Sequence, residues 1–223
     1  MIIAIDGPAA SGKSSTARAV ARRLGYAFLS TGAMYRSVAL ALRRRGRTPT
    51  HAALKELLPT LKLDTPLVDG TFRMVIDGED VTDRLSEPDI AQTASSVATL
   101  RVVRRTLVER QRVLGLRYGN SPGLVLEGRD TGTVVFPDAD LKIYMWADAE
   151  VRAARRHQEF IQCGRDIPYE AILREILARD QQDKDRTDSP LRAADDAVVL
   201  DTSHRSRQEQ ILFILDQVRE RMS

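Results

Sequence analysis

The chain holds little of several residue types that would announce specialised chemistry. Among 223 residues the one cysteine is Cys163. That excludes an internal disulfide and a thiolate metal cluster within one chain, and its ordinary role is a small packed side chain. The three histidines, His51, His157 and His204, have no companion at metal-ligand spacing and read as surface or structural residues. No apolar run approaches the length of a membrane span, and no internal repeat, low-complexity tract or linker divides the sequence. The net charge of +3, from 34 basic and 31 acidic residues, is nearly balanced and gives weak support to nucleic-acid binding. Met1 opens directly on an apolar run, so no leader peptide is expected and the expected setting is the cytoplasm.

What is present suits a globular enzyme: 43% hydrophobic and 29% charged residues, enough to bury a sizeable core. The most informative stretch is Gly7-Pro8-Ala9-Ala10-Ser11-Gly12-Lys13-Ser14, which fits Gly-x-x-x-x-Gly-Lys-Ser/Thr. It follows the apolar run Met1 to Ile5 and opens a helical stripe of Ala17, Val20, Ala21 and Leu24, with Gly25 as the stop. Glycines let backbone N–H groups curl round an anion, and a helix N-terminus adds partial positive charge. In this pattern Lys13 reaches the outer phosphates of a nucleotide and Ser14 binds Mg2+. A glycine-rich turn matching by chance is the bland alternative, but four fixed positions and the strand and helix on either side favour a phosphate loop.

Strand and helix signals alternate through most of the chain. Ala27 to Leu29 reads as a short buried strand, Ala33 to Arg45 as a helix ended by Gly46, and Thr50 as the cap of a short helix that Pro59 interrupts. Phe72, Met74 and Ile76 alternate with Arg73 and Val75 and run into Asp77-Gly78, which predicts an antiparallel ribbon with a tight turn. This sits badly with parallel α/β alternation and predicts an insertion. Ser86 to Gly115 is mostly helical, and its arginines 101, 104, 105, 110 and 112 are by base rate a solvated face. Strands return at Leu124 to Glu127, Leu141 to Trp146 and Ala197 to Leu200, with helices after Ala149 and after a loop at Cys163 to Pro168. Ser206 and Glu209 have capping-box spacing ahead of the stripe Ile211, Ile214, Leu215 and Val218. The expected fold is α/β, a five-stranded parallel sheet covered by helices on both faces.

A phosphate loop alone does not choose among nucleotide-handling proteins. No Asn-Lys-x-Asp guanine-reading motif is present, and arginines stand where a phosphate acceptor needs them. Arg36 lies early on the second helix, and Arg129 and Asp130 end the third strand, the edge where α/β sheets bind ligands. Arg179, Asp183 and Arg186 share a helix face, as do Arg152, Arg155 and Arg156. Each group alone is most simply a surface ion pair. Together they suit phosphoryl transfer between two polyanions, whose charge only fixed cations and Mg2+ offset in the transition state.

These segments resemble the bacterial cytidylate kinase family of nucleoside monophosphate kinases from end to end. The likeness is carried by Ile5-Asp6-Gly7-Pro8, Leu29-Ser30-Thr31-Gly32-Ala33-Met34-Tyr35-Arg36, Asp77 to Thr82, and above all Glu127-Gly128-Arg129-Asp130-Thr131-Gly132-Thr133-Val134-Val135-Phe136-Pro137-Asp138. The resemblance implies a single P-loop kinase domain over residues 1–223, with a core of about 1–58 and 116–223, a monophosphate-binding insertion of about 59–115 and a lid of about 155–170. It implies direct transfer of the ATP γ-phosphoryl group to CMP or dCMP, in pyrimidine nucleotide metabolism, by a monomer without nucleic-acid or membrane partners.

Carried over by position, Gly7, Pro8, Ala9, Ala10, Ser11, Gly12, Lys13, Ser14, Ser15 and Arg152 bind ATP, and Ser14 takes the Mg2+. Lys13, Arg36, Arg129, Arg186, Arg155 and Arg156 are the catalytic cations. Thr31, Tyr35, Arg36, Ser95, Arg104, Arg129, Asp130, Arg179, Asp183 and Arg186 hold CMP, with Ser95, Arg104 and Asp130 reading cytosine and Arg179 and Asp183 meeting the ribose. Whether Asp6 or Glu127 assists Ser14 at the metal, or instead partners the loop structurally, stays open. Ser95 and Arg104, nine residues apart, fall on opposite sides of a straight helix, so a break is predicted near Thr99 to Arg101. Against the family it resembles, the chain departs at Ser30 (usually Asp), Thr131 (where Ile or Met is common) and Arg101 (usually Pro). Ser30 removes a carboxylate near the acceptor and leaves the preference between CMP and dCMP open. A kinase of another monophosphate such as UMP, or an RNA-binding phosphate-loop module, are the alternatives.

Overall fold

The computed structural model describes residues 1–222; Ser223, the last residue of the expected domain, lies outside the described residues. The chain divides into two compact units, Met1–Val20 with Glu127–Ser223, and Ala21–Leu126. In chain order the elements begin with β1 (Ile2–Asp6), α1 (Lys13–Leu24), β2 (Ala27–Ser30), α2 (Thr31–Arg44) and α3 (His51–Leu57). Five two-residue strands follow: β3 (Leu63–Asp64), β4 (Leu67–Val68), β5 (Thr71–Phe72), β6 (Val75–Ile76) and β7 (Glu79–Asp80). Then come a 3-10 turn (Thr82–Ser86), α4 (Pro88–Val97), α5 (Arg101–Tyr118), β8 (Leu124–Gly128) and a π-helical turn (Thr131–Val135). The chain closes with β9 (Leu141–Trp146), α6 (Ala149–Gln162), α7 (Tyr169–Lys184), β10 (Val198–Asp201) and α8 (Arg207–Met222).

In the first unit the strands run in the order β10-β9-β1, all parallel, with Ile3 opposite Leu141 and Val198 opposite Ile143. Ile3, Ala4, Ile5, Leu141, Ile143, Met145 and Leu200 are all buried, the near-continuous apolar strands of a sheet covered on both faces. The capping box at α8 is made: Ser206 N donates to the Glu209 carboxylate at 2.7 Å and Glu209 N to Ser206 Oγ at 3.3 Å. Helices α6 and α7 bury Ala153, Ile172 and Ile176 against Phe160, Ile167 and Leu173.

In the second unit β8, β2, β5 and β4 are successive neighbours. The five sheet strands expected from sequence all form, and the unit adds two. β5 runs parallel to β2, with Phe28 opposite Thr71, and β4 runs antiparallel to β5. The expected ribbon over Phe72, Met74 and Ile76 is therefore split: Phe72 belongs to β5, and Ile76 joins the separate antiparallel sheet β3-β6-β7. Hydrogen bonds between them redirect the chain, since Arg73 N donates to Pro66 O, Met74 N to the Thr82 hydroxyl, and Val81 N to Met74 O. The tight turn stands where Asp77-Gly78 predicts it, both residues at positive φ (52° and 86°), as a two-residue hairpin requires.

The helix break also stands where expected. α4 ends at Val97 and α5 starts at Arg101, with Leu100 extended between them (φ −88°, ψ 118°). No proline or glycine is needed there. Thr99 turns its hydroxyl back onto Ser96 O at 2.8 Å, and Arg104 Nη1 donates to Ala98 O at 3.3 Å, serving carbonyls at the end of α4. Arg104 is buried and Arg110 donates to Leu63 O, whereas Arg101, Arg105 and Arg112 are exposed, so only part of the charge run is a solvated face. Among the described residues no helix is long and apolar enough to cross a membrane.

Candidate active site

The phosphate loop is shaped by what its carbonyls do. Gly7 leaves β1 at φ +150°, and a Cβ there would stand 1.9 Å from Met145 O, so no side chain fits. Beyond it four loop carbonyls are tied by donors of the chain. Pro8 O receives Ser11 Oγ (3.1 Å) and Lys13 Nζ (2.7 Å), and Ala9 O receives Arg152 Nη1 (3.0 Å). Ser11 O receives Thr202 Oγ1 (3.2 Å), and Gly12 O receives Ser15 Oγ (2.9 Å) and Thr16 N (3.1 Å). Carbonyls engaged in this way have a donor of the chain already in place, and an anion at the start of α1 meets the positive end of that helix.

That cavity, about 580 Å3, is lined by Ala10, Ser11, Gly12, Lys13, Ser14 and Ser15 of the loop and the start of α1. Arg155 and Arg156 border it from α6, and Arg205, Ser206, Arg207 and Gln210 from the turn into α8. Lys13 is buried, and desolvation, helped by Arg129 and Arg179 against Glu127 and Asp183, pushes its pKa down to about 7. It rests on Pro8 O, and an arriving phosphate supplies the negative charge that favours its ammonium form. Ser14 stands at the cavity wall beside Lys13, and its hydroxyl suits a hard cation that keeps most of its ligands as water and phosphate oxygen. Among the described residues no cluster of three or more His, Cys, Asp or Glu is placed to hold a metal by itself.

The arginines of the first unit divide by task. Asp183 is fully buried and receives Arg129 Nε at 2.7 Å and a close contact from Arg186. Burial pushes the Asp183 carboxyl up, but Arg129 and Arg186 together hold it below its ordinary value, and Arg129 in turn titrates even higher than usual. Arg179 is one turn before Asp183 on α7. Arg155 donates to Thr202 O (2.6 Å) and Ser203 O (3.3 Å) at the cavity edge, and Arg156 lies 5.1 Å from the Phe160 ring. Arg152 is elsewhere. Its guanidinium is spent on Ala147 O, Ala9 O and Asp180 Oδ2, at 2.8, 3.0 and 2.5 Å, and it does not border the cavity.

At the end of β1, Asp6 accepts Thr131 N (2.8 Å), Thr131 Oγ1 (2.7 Å) and Gly132 N (2.7 Å). Burial, opposed by these bonds, pushes its pKa up to about 6. These bonds run to the turn after β8 and not to the phosphate loop. Asp130 is buried one residue before this turn.

The second unit carries the remaining residues assigned to CMP. Thr31 opens α2, Tyr35 and Arg36 lie one turn along it, and the Arg36 guanidinium reaches back over Gly32, whose Cβ would stand 3.3 Å from Nη1. The Arg104 guanidinium sits 5.9 Å from the Tyr35 ring centroid. Ser95 is half-buried on α4, the helix that packs against α2.

The model of the cytidylate kinase family matches residues 3–220. The chain belongs to the cytidylate kinase family. It is 44% identical over 220 residues to the cytidylate kinase of Salinibacter ruber, covering 98% of this chain and 97% of that one. It is 45% identical over 223 residues to that of Thermotoga petrophila, with 99% and 98% covered. A solved Thermus thermophilus structure shares the fold at TM-score 0.52 and 22% identity, covering all of this chain and 98% of its own. As a cytidylate kinase family member the chain is an enzyme, a phosphotransferase of mostly parallel α/β fold.

Sequence reasoning missed the segment after β10, where Thr202 and Ser203 hold the loop and Arg155, and Arg205 to Gln210 border the cavity. The signal was positional: Thr202 follows a parallel strand at its C-terminal end, where α/β proteins bind ligands.

Proposed function

We propose that this member of the cytidylate kinase family transfers the γ-phosphoryl group of MgATP to CMP or dCMP in one in-line step, releasing ADP and CDP or dCDP. The observation that carries this is a phosphate loop with the carbonyls of Pro8, Ala9, Ser11 and Gly12 tied by donors of the chain, in the same unit as the buried Arg129–Asp183–Arg186 cluster. One array suits a donor triphosphate and the other an acceptor phosphate. The acceptor oxygen bonds to the γ-phosphorus as its bond to the ADP oxygen breaks, so no group on the protein need be phosphorylated.

The loop amides and Lys13 bind the donor phosphates, and Arg155 and Arg156 add charge beside them. Ser14 would hold a Mg2+ ion together with the donor phosphates, and the ion would supply positive charge against the charge on the transferring group. Arg129 and Arg186, oriented by Asp183, grip the acceptor phosphate, and Arg36 of the second unit has the same assignment. Arg179 and Asp183 meet the ribose, and Thr31 and Tyr35 complete the acceptor set. Cytosine offers an exocyclic amino donor with a carbonyl and ring-nitrogen acceptor; Asp130 matches the first, and Arg104 and Ser95 the others. Uracil puts an acceptor where cytosine has its donor, so a carboxylate rejects it.

The test is ADP release from MgATP with CMP, dCMP, UMP, AMP and GMP offered separately, to the parent and to Asp130→Ala. CMP and dCMP should support turnover, UMP should do so at least about tenfold less well, and Asp130→Ala should narrow that gap. Equal use of UMP by the parent removes the base assignment. Salt-sensitive RNA binding with no monophosphate-dependent ADP release overturns the kinase reading itself.

A further inference from the structure

We propose that Asp6 is a positioning residue for the acceptor side of the reaction, holding Arg129 and Asp130 in place by capping the helical turn that follows them. The inference rests on the reading above that Arg129 and Asp130 contact CMP. The first N–H groups of a helix have no partner within it. In the turn Thr131–Val135 the first two, Thr131 N and Gly132 N, both donate to Asp6, one to each carboxylate oxygen, at 2.8 and 2.7 Å. The Thr131 hydroxyl adds a third bond at 2.7 Å.

A cap normally comes from the residue at the helix start. Here that residue is Asp130, with φ −145° and ψ 24°, and its side chain does not cap its own turn. Asp6, 125 residues before Thr131 in sequence, takes over that role. The turn is also seated by shape. A Cβ on Gly132 would stand 3.2 Å from Lys142 Cγ and 3.5 Å from Ala4 Cβ, and Val134 N and Val135 N return to Asp130 O at 2.9 and 3.1 Å. The backbone on the C-terminal side of Asp130 is thus fixed by a buried carboxylate whose bonds are charge-assisted and favoured by the helix dipole. A shift of a fraction of an ångström there is carried to Arg129 and Asp130, and misplacement on that scale costs rate.

The experiment compares the parent with Asp6→Asn, Thr131→Val and the double variant, measuring kcat and KM for ATP and for CMP, the CMP to UMP ratio of kcat/KM, and the melting temperature. An amide at position 6 can accept on one side only, and valine keeps the shape of threonine without its hydroxyl. Asp6→Asn should lower kcat/KM for CMP about tenfold or more and narrow the CMP to UMP ratio, with KM for ATP changed less than about twofold. Thr131→Val should act in the same direction more weakly, and the double variant should be less impaired than the two single effects combined. Equal losses toward ATP and CMP, or an unaltered CMP to UMP ratio in folded variants, overturns the proposal. Should Asp6→Asn not fold, Thr131→Val decides by the same criteria. A parent with no preference for CMP, or one that Asp130→Ala leaves unchanged, instead fails the underlying reading of Asp130.

Discussion

Asp6 titrates where it can be followed. Burial raises its carboxyl from the ordinary 3.8 to about 6, against the bonds from Gly132 and Thr131 that favour the charged form. A carboxyl raised on folding keeps its proton in the native state while the unfolded chain has lost it. Its contribution to stability is therefore largest below about pH 4 and declines as pH rises through about 6, by on the order of 3 kcal/mol. Urea titrations of the parent and Asp6→Asn from about pH 4 to about pH 7 should show the parent losing stability relative to the variant as pH rises. A difference independent of pH would contradict the assignment. The motif placed Asp6 at a strand end beside the phosphate loop and left its task open. Its bonds go to Thr131 and Gly132, in a turn well over a hundred residues along the chain that no motif places beside it.

At the scale of elements, helix spacing gave the face and not what the face meets. Arg152, Arg155 and Arg156 at i, i+3 and i+4 read as one cluster toward ATP. Arg155 and Arg156 border the cavity, while Arg152 is buried as a strut among Ala9 O, Ala147 O and Asp180 of α7. Arg152→Met should destabilise the protein by about 3–5 kcal/mol in a denaturant titration, because Asp180 is left buried and charged without its cation. It should also raise KM for ATP by freeing the Ala9 carbonyl. Pairing it with Asp180→Leu should restore much of the stability and leave the ATP defect in place; recovery of both would show that the strut has no role at the loop. The break between α4 and α5 was legible, because two residues assigned to one base could not share a straight helix. Its cause, the Thr99 hydroxyl and the Arg104 guanidinium serving the end of α4, was not.

At the scale of the molecule, the α/β alternation was read from five apolar runs long enough to show a period. β4 and β5 were not, since two residues carry no periodicity and their pairing is set by the partner strand β2. The phosphate loop was fully legible, because its glycines, lysine and serine are the chemistry as well as the signal. The tying of its carbonyls from Thr202 and Arg152 depends on chain segments well over a hundred residues away. A further consequence is that Gly7→Ala, whose Cβ would meet Met145 O at 1.9 Å, should abolish ATP-dependent activity and lower the melting temperature by several degrees, about what a loss of one or two kcal/mol costs. Direct transfer is tested by following a radiolabelled γ-phosphate of ATP in the presence and absence of CMP. Label appearing in CDP in step with ADP, with none on the protein and none released as inorganic phosphate, is the predicted result; label in inorganic phosphate regardless of CMP, or a labelled protein intermediate, would contradict it.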